Sequence, residues 1–259
     1  MAAKVVVITG ASGGIGAELA RQLAARGEKV VLAARREAQL RQVAAACGAG
    51  ALPVVTDVTR RAEVDHLRDE ALRAFGQVDV WVNNAGRGIG RQVLDLTDED
   101  FDAMMAVNAK SALYGMQAII PHFKTRGAGH LISVSSALSR IPFASYRSAY
   151  SAAKAALNML SATLRQDLRA QYPNVHVSVV VLPWVTTDFS KNALYGTPLP
   201  LGGFRPGAGS QAQSPEQAAA AIVDLIDHPR PEVYTDPAQA EVVARYYADV
   251  AAFEAGLGR

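Results

Sequence analysis

The chain has 259 residues, of which 50% are hydrophobic and 19% are charged, and its formal net charge is +2 at pH 7. This length and composition suffice for one large α/β core, and no internal boundary is visible, so we expect a single domain over residues 1–259. The Lys and Arg residues are scattered along the chain, which argues against a basic nucleic-acid surface.

Several classes of protein are disfavoured by simple features of the chain. Cys47 is its one cysteine, so an intrachain disulfide is excluded and a reducing compartment such as the cytoplasm is expected. A strand-like run begins at Lys4, which leaves no room for a signal peptide. The longest uncharged stretch, residues 170–187, contains two prolines, so we expect no membrane span. The five histidines lack metal-ligand spacing, so no catalytic metal is expected.

Short apolar runs alternate with longer amphipathic segments along the chain. The apolar runs predict strands at residues 4–9, 29–34, 52–56, 78–82, 130–134, 175–182 and near 232–235. The amphipathic segments predict helices at about residues 14–26, 36–46, 60–75, 98–107, 109–124 and 149–170, with one more after Ser214 and a last one after Pro237. Apolar strands separated by helices predict a Rossmann-like, doubly wound parallel sheet covered on both faces.

A glycine-rich turn, Thr9–Gly16 (TGASGGIG), joins the first strand to the first helix. Gly10 allows a tight turn, Gly14 lets the backbone approach a pyrophosphate, and Gly16 lets helix and sheet pack closely. The free N–H groups of the helix N-terminus suit phosphates. The turn predicts a dinucleotide site, although its GxxxGxG spacing differs from GxGxxG; a plain strand–helix turn would not need four glycines.

Tyr150 and Lys154 are four residues apart on a predicted helix and therefore share one face. A free tyrosine titrates near ~10 and is a poor acid–base group at neutral pH. A nearby ammonium favours the phenolate and lowers the phenol pKa. The pair is therefore a candidate for moving a proton to or from a carbonyl or alcohol oxygen.

With these features the chain resembles the short-chain dehydrogenase/reductase family over nearly its whole length. The matching motifs, in the family's order, are Thr9–Gly16, Asp57-Val58, Asn83-Asn84-Ala85-Gly86, Asn108, Ser136 and Tyr150-x-x-x-Lys154. The resemblance implies a nicotinamide cofactor and hydride transfer between a carbonyl and an alcohol. It also implies a homo-oligomer, either a tetramer or a dimer.

The resemblance implies a catalytic tetrad of Asn108, Ser136, Tyr150 and Lys154. In this tetrad Tyr150 is the general acid–base, and Lys154 lowers its pKa and bonds the nicotinamide ribose. Ser136 donates a hydrogen bond to the substrate oxygen, and Asn108 holds a water linked to Lys154 or, alternatively, serves as a helix-bend residue. The step from Ser136 to Tyr150 is fourteen residues, one more than is usual in the family, so Ser135 remains an alternative to Ser136.

The resemblance also implies a set of cofactor contacts. They are Gly10, Ser12, Gly14, Ile15, Gly16, Arg35, Arg36, Asp57, Val58, Asn84, Ala85, Gly86, Tyr150, Lys154, Pro183, Val185 and Thr187. Asp57 either contacts the adenine or caps the next helix, and Asn84 either binds the cofactor or supports the sheet.

The end of the second strand bears on the choice between NAD and NADP. Ala34 stands where an acidic residue would bond the ribose hydroxyls of NAD, and Arg35 follows it. A guanidinium can hold the 2′-phosphate bidentately. We therefore expect NADP(H) to be preferred over NAD(H), through Arg35 first, while Arg36 either helps or merely starts the next helix.

The segment after the sixth strand departs from the family pattern Pro-Gly-x-x-x-Thr. It reads Pro183-Trp184-Val185-Thr186-Thr187, so Trp184 either walls the substrate pocket or packs in the core. The family threonine is Thr187 or, as the weaker choice, Thr186.

The Gly- and Pro-rich stretch at about 186–213 predicts a substrate lid. Apolar pocket candidates, which favour an apolar substrate, are Phe143, Tyr146, Phe189, Leu194, Tyr195, Leu199, Leu201 and Phe204.

Two other kinds of function compete with a carbonyl reductase. A catalytically silent NADP-binding sensor on the same fold would typically lose the Tyr and the Lys, and this chain has both. An epimerase, a dehydratase or a carbon–carbon double-bond reductase would often change the serine or the tyrosine motif. The sequence therefore favours an oxidoreductase acting on a small carbonyl or alcohol.

Overall fold

Within residues 3–196 and 212–257, which the computed structural model describes, seven parallel strands form one sheet in the order β3-β2-β1-β4-β5-β6-β7. The strands are β1 (Val5–Thr9), β2 (Lys29–Ala34), β3 (Ala51–Val55), β4 (Val80–Asn83), β5 (Gly129–Ser136), β6 (Val175–Leu182) and β7 (Glu232–Tyr234). The central strands are rich in valine and isoleucine, whose branched side chains suit a sheet that is buried on both faces. The predicted fold class is confirmed.

Helices cover both faces of the sheet. They are α1 (Gly14–Ala25), α2 (Glu37–Cys47), α3 (Arg61–Phe75), α4 (Asp98–Met105), α5 (Ser111–Arg126), α6 (Ser148–Arg169), α7 (Pro215–Asp227), α8 (Pro237–Ala248) and α9 (Val250–Leu257). Val6 and Ile8 of β1 pack with α1, α2 and α7, whereas Val5 and Val7 pack with α3, α5 and α6. Each such buried side chain stabilises the fold by about 1.5–3 kcal/mol. Among the described helices, none is long and apolar enough to cross a membrane.

The strand order places a crevice at the carboxyl end of β1. This strand pairs with β2 on one side and with β4 on the other. The strands that follow β1 in the chain are therefore added first on one side of it and then on the other. In a doubly wound sheet the loops diverge at such a point and leave room for a ligand. Because the strands are parallel, the segments that follow β1, β4, β5 and β6 all begin at this edge of the sheet.

Two predicted helical regions differ in the structure. The helices predicted at 98–107 and 109–124 are joined by a π-helical turn at 106–110, so the helix continues through the predicted gap. The last predicted helix is two helices, α8 and α9, because Asp249 between them is extended, with φ −154° and ψ 93°. The Asp249 carboxylate accepts a hydrogen bond from the Ala252 N–H at 2.9 Å, which caps the start of α9.

Candidate active site

The glycine-rich turn packs so closely on the segment after β4 that side chains are excluded from it. Gly10 has φ +70°, and a Cβ there would lie 2.9 Å from the Cα of Ala85. A Cβ on Gly16 would lie 2.6 Å from the Nδ2 of Asn84 and from the carbonyl oxygen of Gly10. Asn84 connects the turn to the segment after β4, because its Nδ2 donates a hydrogen bond to the carbonyl oxygen of Thr9 at 2.8 Å. Sterics therefore require glycine at both positions.

The start of α1 presents backbone to the crevice. Gly14 has φ +55°, and a Cβ there would approach the Cγ2 of Thr187 to 3.3 Å. Gly13 occupies the N-cap position and offers no capping side chain. The first N–H groups of a helix lack partners within the helix, and they carry its positive dipole end. This end of α1 is therefore suited to a phosphate group.

Arg36 reaches back from the N-cap position of α2 over the glycine-rich turn. Its Nε and Nη2 donate to the Oγ of Ser12 at 3.2 and 3.1 Å. A Cβ at Gly13 would lie 3.1 Å from the same Nη2. Arg35 and Arg36 both line the crevice beside the end of β2. Arg36 therefore does more than start a helix, since it contacts the turn directly.

Asp57 and Val58 line the crevice after β3. The Oδ1 of Asp57 accepts hydrogen bonds from the N–H and the hydroxyl of Thr59 at 3.0 and 2.8 Å. The expected alternative, a helix cap, is not what the structure shows, because the N-cap residue of α3 is Arg60. Burial acts to raise the pKa of Asp57, but the Thr59 hydrogen bonds and the charges of Arg35 and Arg60 outweigh it and lower that pKa.

Tyr150 lies in the first turns of α6 and faces the end of β5. Ser136, the last residue of β5, lines the same cavity as Tyr150, and its side chain acts to lower the pKa of Tyr150. Ser135 instead donates to the Oγ of Ser139 at 3.3 Å. Neighbouring side chains of a strand point to opposite faces, which separates the two serines. Ser136 is therefore the serine that the structure brings to Tyr150.

Lys154 is buried one helical turn beyond Tyr150. Its Nζ donates to the carbonyl oxygen of Val134 at 2.8 Å and lies 5.9 Å from the centroid of the Tyr150 ring. Burial lowers the pKa of Lys154 to about 8. The amine is therefore held by the backbone of β5 and can change its protonation state near neutral pH.

The pKa of Tyr150 differs from the sequence-based expectation. Burial raises it to about 12, while the hydrogen bond with Ser136 and the charge of Arg147 act in the lowering direction. The prediction of a net lowering caused by Lys154 is wrong for this structure, because the loss of hydration of the buried phenolate outweighs the nearby cations. The cation that acts on the phenol is Arg147.

Asn108 is buried in the π-helical turn and holds the segment after β4. Its Oδ1 accepts from the Arg87 N–H at 3.1 Å, and its Nδ2 donates to the carbonyl oxygens of Arg87 and Met104 at 2.9 and 3.1 Å. A Cβ on Gly86 would lie 2.9 Å from the Asn108 Oδ1 and 3.6 Å from the Lys154 Nζ. Both ends of the Asn108 amide thus engage backbone groups on either side of it.

The segment after β6 forms one wall of the crevice. Trp184 lines this wall and is 38% exposed, so its alternative placement in the core is excluded. Thr187 also lines the wall opposite Gly14, whereas the Thr186 hydroxyl donates to the carbonyl oxygen of Gln213 at 3.2 Å. Thr187 is therefore the better match to the family threonine.

These walls enclose one cavity of about 540 Å³. The predicted site residues that line it are Gly10, Ser12, Gly14, Ile15, Arg35, Arg36, Asp57, Val58, Asn84, Ala85, Gly86, Ser136, Tyr150, Lys154, Pro183, Val185 and Thr187. Gly16 and Asn108 lie behind the wall and support it. The part of the chain that the structure describes has no group of three or more His, Cys, Asp and Glu side chains placed to hold a metal ion.

The described part of the predicted lid packs on α6 and on the segment after β4. The Phe189 ring meets the Tyr150 ring edge-on at 5.4 Å between centroids, and Leu194 forms a β-bridge with Ile89. Phe143 and Tyr146 line the cavity as expected. Three predicted pocket residues lie outside the described residues: Leu199, Leu201 and Phe204.

Arg147 and Gln239 are among the cavity-wall residues that sequence reasoning missed. Arg147 stands three residues before Tyr150, and that helical spacing could have revealed it. Gln239 of α8 also lines the cavity. No local signal marks Gln239, because its role depends on where the C-terminal helices fold back.

Known proteins resemble this chain over most of its length. Residues 4–196 match the short chain dehydrogenase family model. The chain belongs to the short-chain dehydrogenase/reductase family. Among curated relatives of this oxidoreductase, the uncharacterized oxidoreductase YxnA of Bacillus subtilis is 32% identical over 245 residues, which cover 93% of this chain and 67% of the relative.

Solved structures of the family support a nicotinamide cofactor for this oxidoreductase. A short chain dehydrogenase/reductase from Burkholderia phymatum in complex with NAD has a TM-score of 0.85 and 27% identity, covering 96% of this chain and 94% of that chain. An alcohol dehydrogenase from Thermococcus sibiricus complexed with 5-hydroxy-NADP has a TM-score of 0.77 and 28% identity, covering 90% and 96%. Because these relatives differ in cofactor, the choice between NAD and NADP depends on the residues of this chain.

Proposed function

We propose that this protein is an NADP(H)-dependent oxidoreductase that interconverts a carbonyl and an alcohol, with Tyr150 as the general acid–base. The observation that carries the proposal is that Tyr150, Ser136 and Lys154 line the same cavity as the glycine-rich turn. Two hydroxyl groups at one point can hold a substrate oxygen and exchange a proton with it. Lys154, one helical turn away, adds a buried amine.

The cradle formed by the glycine-rich turn fits a dinucleotide, because Cβ atoms at Gly10, Gly14 and Gly16 would fill or block it. When bound, the nicotinamide supplies a hydride to a carbonyl or accepts one from an alcohol. We propose that Asp57 and Val58 contact the adenine end. Other contacts at the nicotinamide end are proposed for Asn84, Ala85, Gly86, Lys154, Pro183, Val185 and Thr187.

Each tetrad residue has a proposed task in proton transfer. In reduction, Tyr150 gives its proton to the substrate oxygen while Ser136 donates a hydrogen bond to the same oxygen, where negative charge develops. In oxidation, Tyr150 accepts the proton instead. Lys154, whose pKa burial lowers to about 8, is suited to replacing that proton. Asn108 keeps the segment after β4 against Lys154 and is proposed to hold a linking water.

The preference for NADP(H) is supported by the two arginines after β2. We expect Arg35→Asp and Arg36→Asp each to weaken NADPH binding about tenfold more than NADH binding, because a charged hydrogen bond to the 2′-phosphate contributes about 1.5–3 kcal/mol. Fluorescence titration with both cofactors measures the ratio. Arg41→Asp, at an exposed site on α2, the helix that follows these arginines, is the matched control. Equal weakening of NADPH and NADH would refute the assignment.

An apolar substrate is proposed from the other end of the cavity. The apolar side chains that line the cavity include Leu138, Phe143, Trp184 and Phe189, and two of these, Leu138 and Phe189, pack in one cluster with Tyr150. Burying such a substrate contributes about 25 cal/mol per Å² of apolar surface. Within a homologous set of ketones, kcat/KM is therefore expected to rise with apolar chain length until the cavity is full.

The test is NADPH consumption by the purified protein with aldehydes, ketones, diketones and quinones. Tyr150→Phe should reduce turnover by at least about 100-fold, since general acid catalysis contributes about 10²–10⁴. Tyr172→Phe, which removes a hydroxyl beyond the end of the same helix, is the control. Tight NADPH binding without turnover of any substrate would favour the silent sensor instead.

We also propose a cytoplasmic homo-oligomer, a dimer or a tetramer. Met159 and Leu160 on α6 are 68% and 36% exposed, which is unusual for such side chains on an otherwise packed helix. Light scattering should give a mass that is a multiple of the chain mass of 27.4 kDa. Met159→Lys should shift the assembly towards the single chain, and an unchanged mass would move the interface elsewhere.

A further inference from the structure

Arg147 is a buried arginine beside the proposed acid–base residue. It is 5% exposed and occupies the N-cap position of α6, three residues before Tyr150. Its Nη1 donates to the carbonyl oxygen of Ile89 at 3.0 Å, and its Nη2 donates to the Oγ of Ser190 at 3.4 Å. Arginine is seldom this deeply buried, so the segments that Arg147 contacts are of interest.

The contacts of Arg147 connect three separate segments of the cavity wall. Ile89 follows β4, Ser190 follows β6, and Arg147 itself ends the loop before α6. The backbone repeats the connection, because the Arg91 N–H donates to the carbonyl oxygen of Tyr146 at 2.8 Å. Moving this guanidinium would therefore disturb the wall on both sides of Tyr150.

A glycine makes room for the guanidinium. A Cβ on Gly88 would lie 2.5 Å from the Arg147 Nη1 and 3.0 Å from the Cε1 of Phe189. The Arg147 Cζ lies 6.0 Å from the centroid of the Phe189 ring, which in turn packs edge-on against Tyr150. Gly88, Arg147, Phe189 and Tyr150 thus form one packed unit.

The charge of Arg147 also acts on the phenol. Burial raises the pKa of Tyr150, and Arg147 is the cation that opposes this rise. Lys154 directs its ammonium to the Val134 carbonyl, and Asp188 is paired with Lys191 at 2.8 Å. The other titratable or charged groups of this end of the cavity come from α6, the loop before it and the segments after β4 and β6: Lys154, Tyr146, Arg87 and Asp188.

We propose that Arg147 is a positioning residue for the reaction: it holds the walls around Tyr150 together and supplies the positive charge that stabilises the Tyr150 phenolate. This inference rests on the proposed function for its catalytic meaning. The geometric and electrostatic part can be measured without any substrate. It adds to the proposed tetrad a charged group at the N-cap of α6, which precedes Tyr150 in sequence whereas Lys154 follows it.

The first test is an NMR titration of protein labelled with [ζ-13C]tyrosine, in which Tyr150→Phe identifies the Tyr150 signal. Arg147→Met, which removes the charge but keeps a long side chain, should move the ionisation of Tyr150 to higher pH. Arg147→Lys should move it by less than half as much. Arg87→Met, which removes another arginine from the cavity wall, should not move it. Equal shifts for Arg147→Lys and Arg147→Met would overturn the electrostatic role.

The second test uses alcohol oxidation by the full chain with its best substrate. The pH at which kcat/KM reaches half its maximum should rise in Arg147→Met and stay near the parent value in Arg147→Lys. A merely structural role would instead lower kcat/KM in both variants with the midpoint unchanged, and that result would refute the proposal. If Arg147→Met does not fold, Gly88→Ala, whose added Cβ displaces the guanidinium, should shift the midpoint in the same direction.

The two tests separate failure of this inference from failure of the proposed function. An upward shift of the Tyr150 ionisation in Arg147→Met supports the inference even in a protein without turnover. Turnover that depends on Tyr150 but whose pH midpoint ignores Arg147 keeps the proposed function and refutes the inference.

Discussion

The two ends of the cavity are built in different ways. At the cofactor end, backbone packs on backbone, as where a Cβ on Gly16 would meet the Gly10 carbonyl oxygen at 2.6 Å. At the substrate end, side chains from distant segments meet, as where the Phe143 and Phe253 rings lie 6.1 Å apart. The shape of the cofactor end is determined by close backbone contacts, whereas the shape of the substrate end depends on where α8 and α9 pack.

The substrate end is also the less deeply packed of the two. Every residue of α8 is half-buried or exposed, and the Tyr247 hydroxyl of this helix donates to the carbonyl oxygen of Arg140 at 3.1 Å. Tyr246 packs edge-on against Phe253 at 5.4 Å. Such a segment opens more easily than the central strands, which suits a region that must admit substrate.

The largest effect is expected at the cofactor end. Gly16→Ala should lower NADPH affinity by at least about tenfold and lower Tm, because overpacking costs about 1–3 kcal/mol and the obstacle here includes backbone. NADPH titration and thermal unfolding measure both quantities.

The control for this change is Gly256→Ala, since a Cβ on Gly256 in α9 would meet nothing within 4 Å. That variant should keep both values. If Gly16→Ala bound NADPH as the parent does, the cofactor end would not be set by sterics.

A second prediction concerns His130, which lies near the amino end of β5 and belongs to neither end of the cavity. The buried His130 Nε2 lies 2.8 Å from the Ser178 Oγ, and burial, with the neighbouring His176, lowers the pKa of His130 to about 3. An unfolded histidine titrates near ~6.5, so below that pH the unfolded chain binds a proton that the folded chain does not. Stability is therefore complete above about pH 6.5 and falls by about 2 kcal/mol by about pH 5.

Urea unfolding at the two pH values tests this prediction. His130→Asn should remove most of the acid-dependent loss, whereas His228→Asn, at an exposed histidine paired with Asp224, should retain it. Cofactor and substrate binding should weaken in parallel as the protein unfolds in acid. A loss confined to one end of the cavity would show that His130 is not its cause.

The smallest effect is expected at the substrate end. Phe253→Ala should raise KM for the best substrate several-fold, because an aromatic pair contributes about 0.5–1.5 kcal/mol, and it should leave NADPH affinity unchanged. Steady-state kinetics and NADPH titration distinguish the two ends. Val250→Ala, an exposed change on the same helix, is the control. Equal weakening of substrate and cofactor would mean that the two ends are not independent.

The local motifs were predictable because each depends on few neighbours. Gly10 and Gly16 could be predicted, since a glycine needed at a strand–helix turn is visible in the sequence. The candidate for the tetrad serine could be narrowed to Ser135 and Ser136 from the sequence. The choice between them required the structure, in which Ser136 faces Tyr150. Asn108 could be placed near a helix bend, but the π-helical turn that buries it was not predicted.

The pKa of the site residues was predicted less well than their placement in the cavity. The i, i+4 spacing correctly placed Tyr150 and Lys154 in one cavity, yet the predicted direction of the Tyr150 pKa was wrong. Burial decides that direction, and burial depends on Phe189 and other residues that are distant in sequence. The three-residue spacing could have marked Arg147 as a neighbour of Tyr150, but the sequence does not reveal that the charge of Arg147 is buried.

The sequence by itself determined the doubly wound sheet, the glycine-rich turn and the set of hydroxyl, amine and amide groups at the site. These follow from residue periodicity and from steric demands between near neighbours. Only the tertiary structure decided which serine meets Tyr150, that Trp184 walls the cavity and that Arg147 is buried beside the phenol. Those outcomes depend on contacts among segments far apart in the chain, where small differences in packing decide solvent exposure and thus charge.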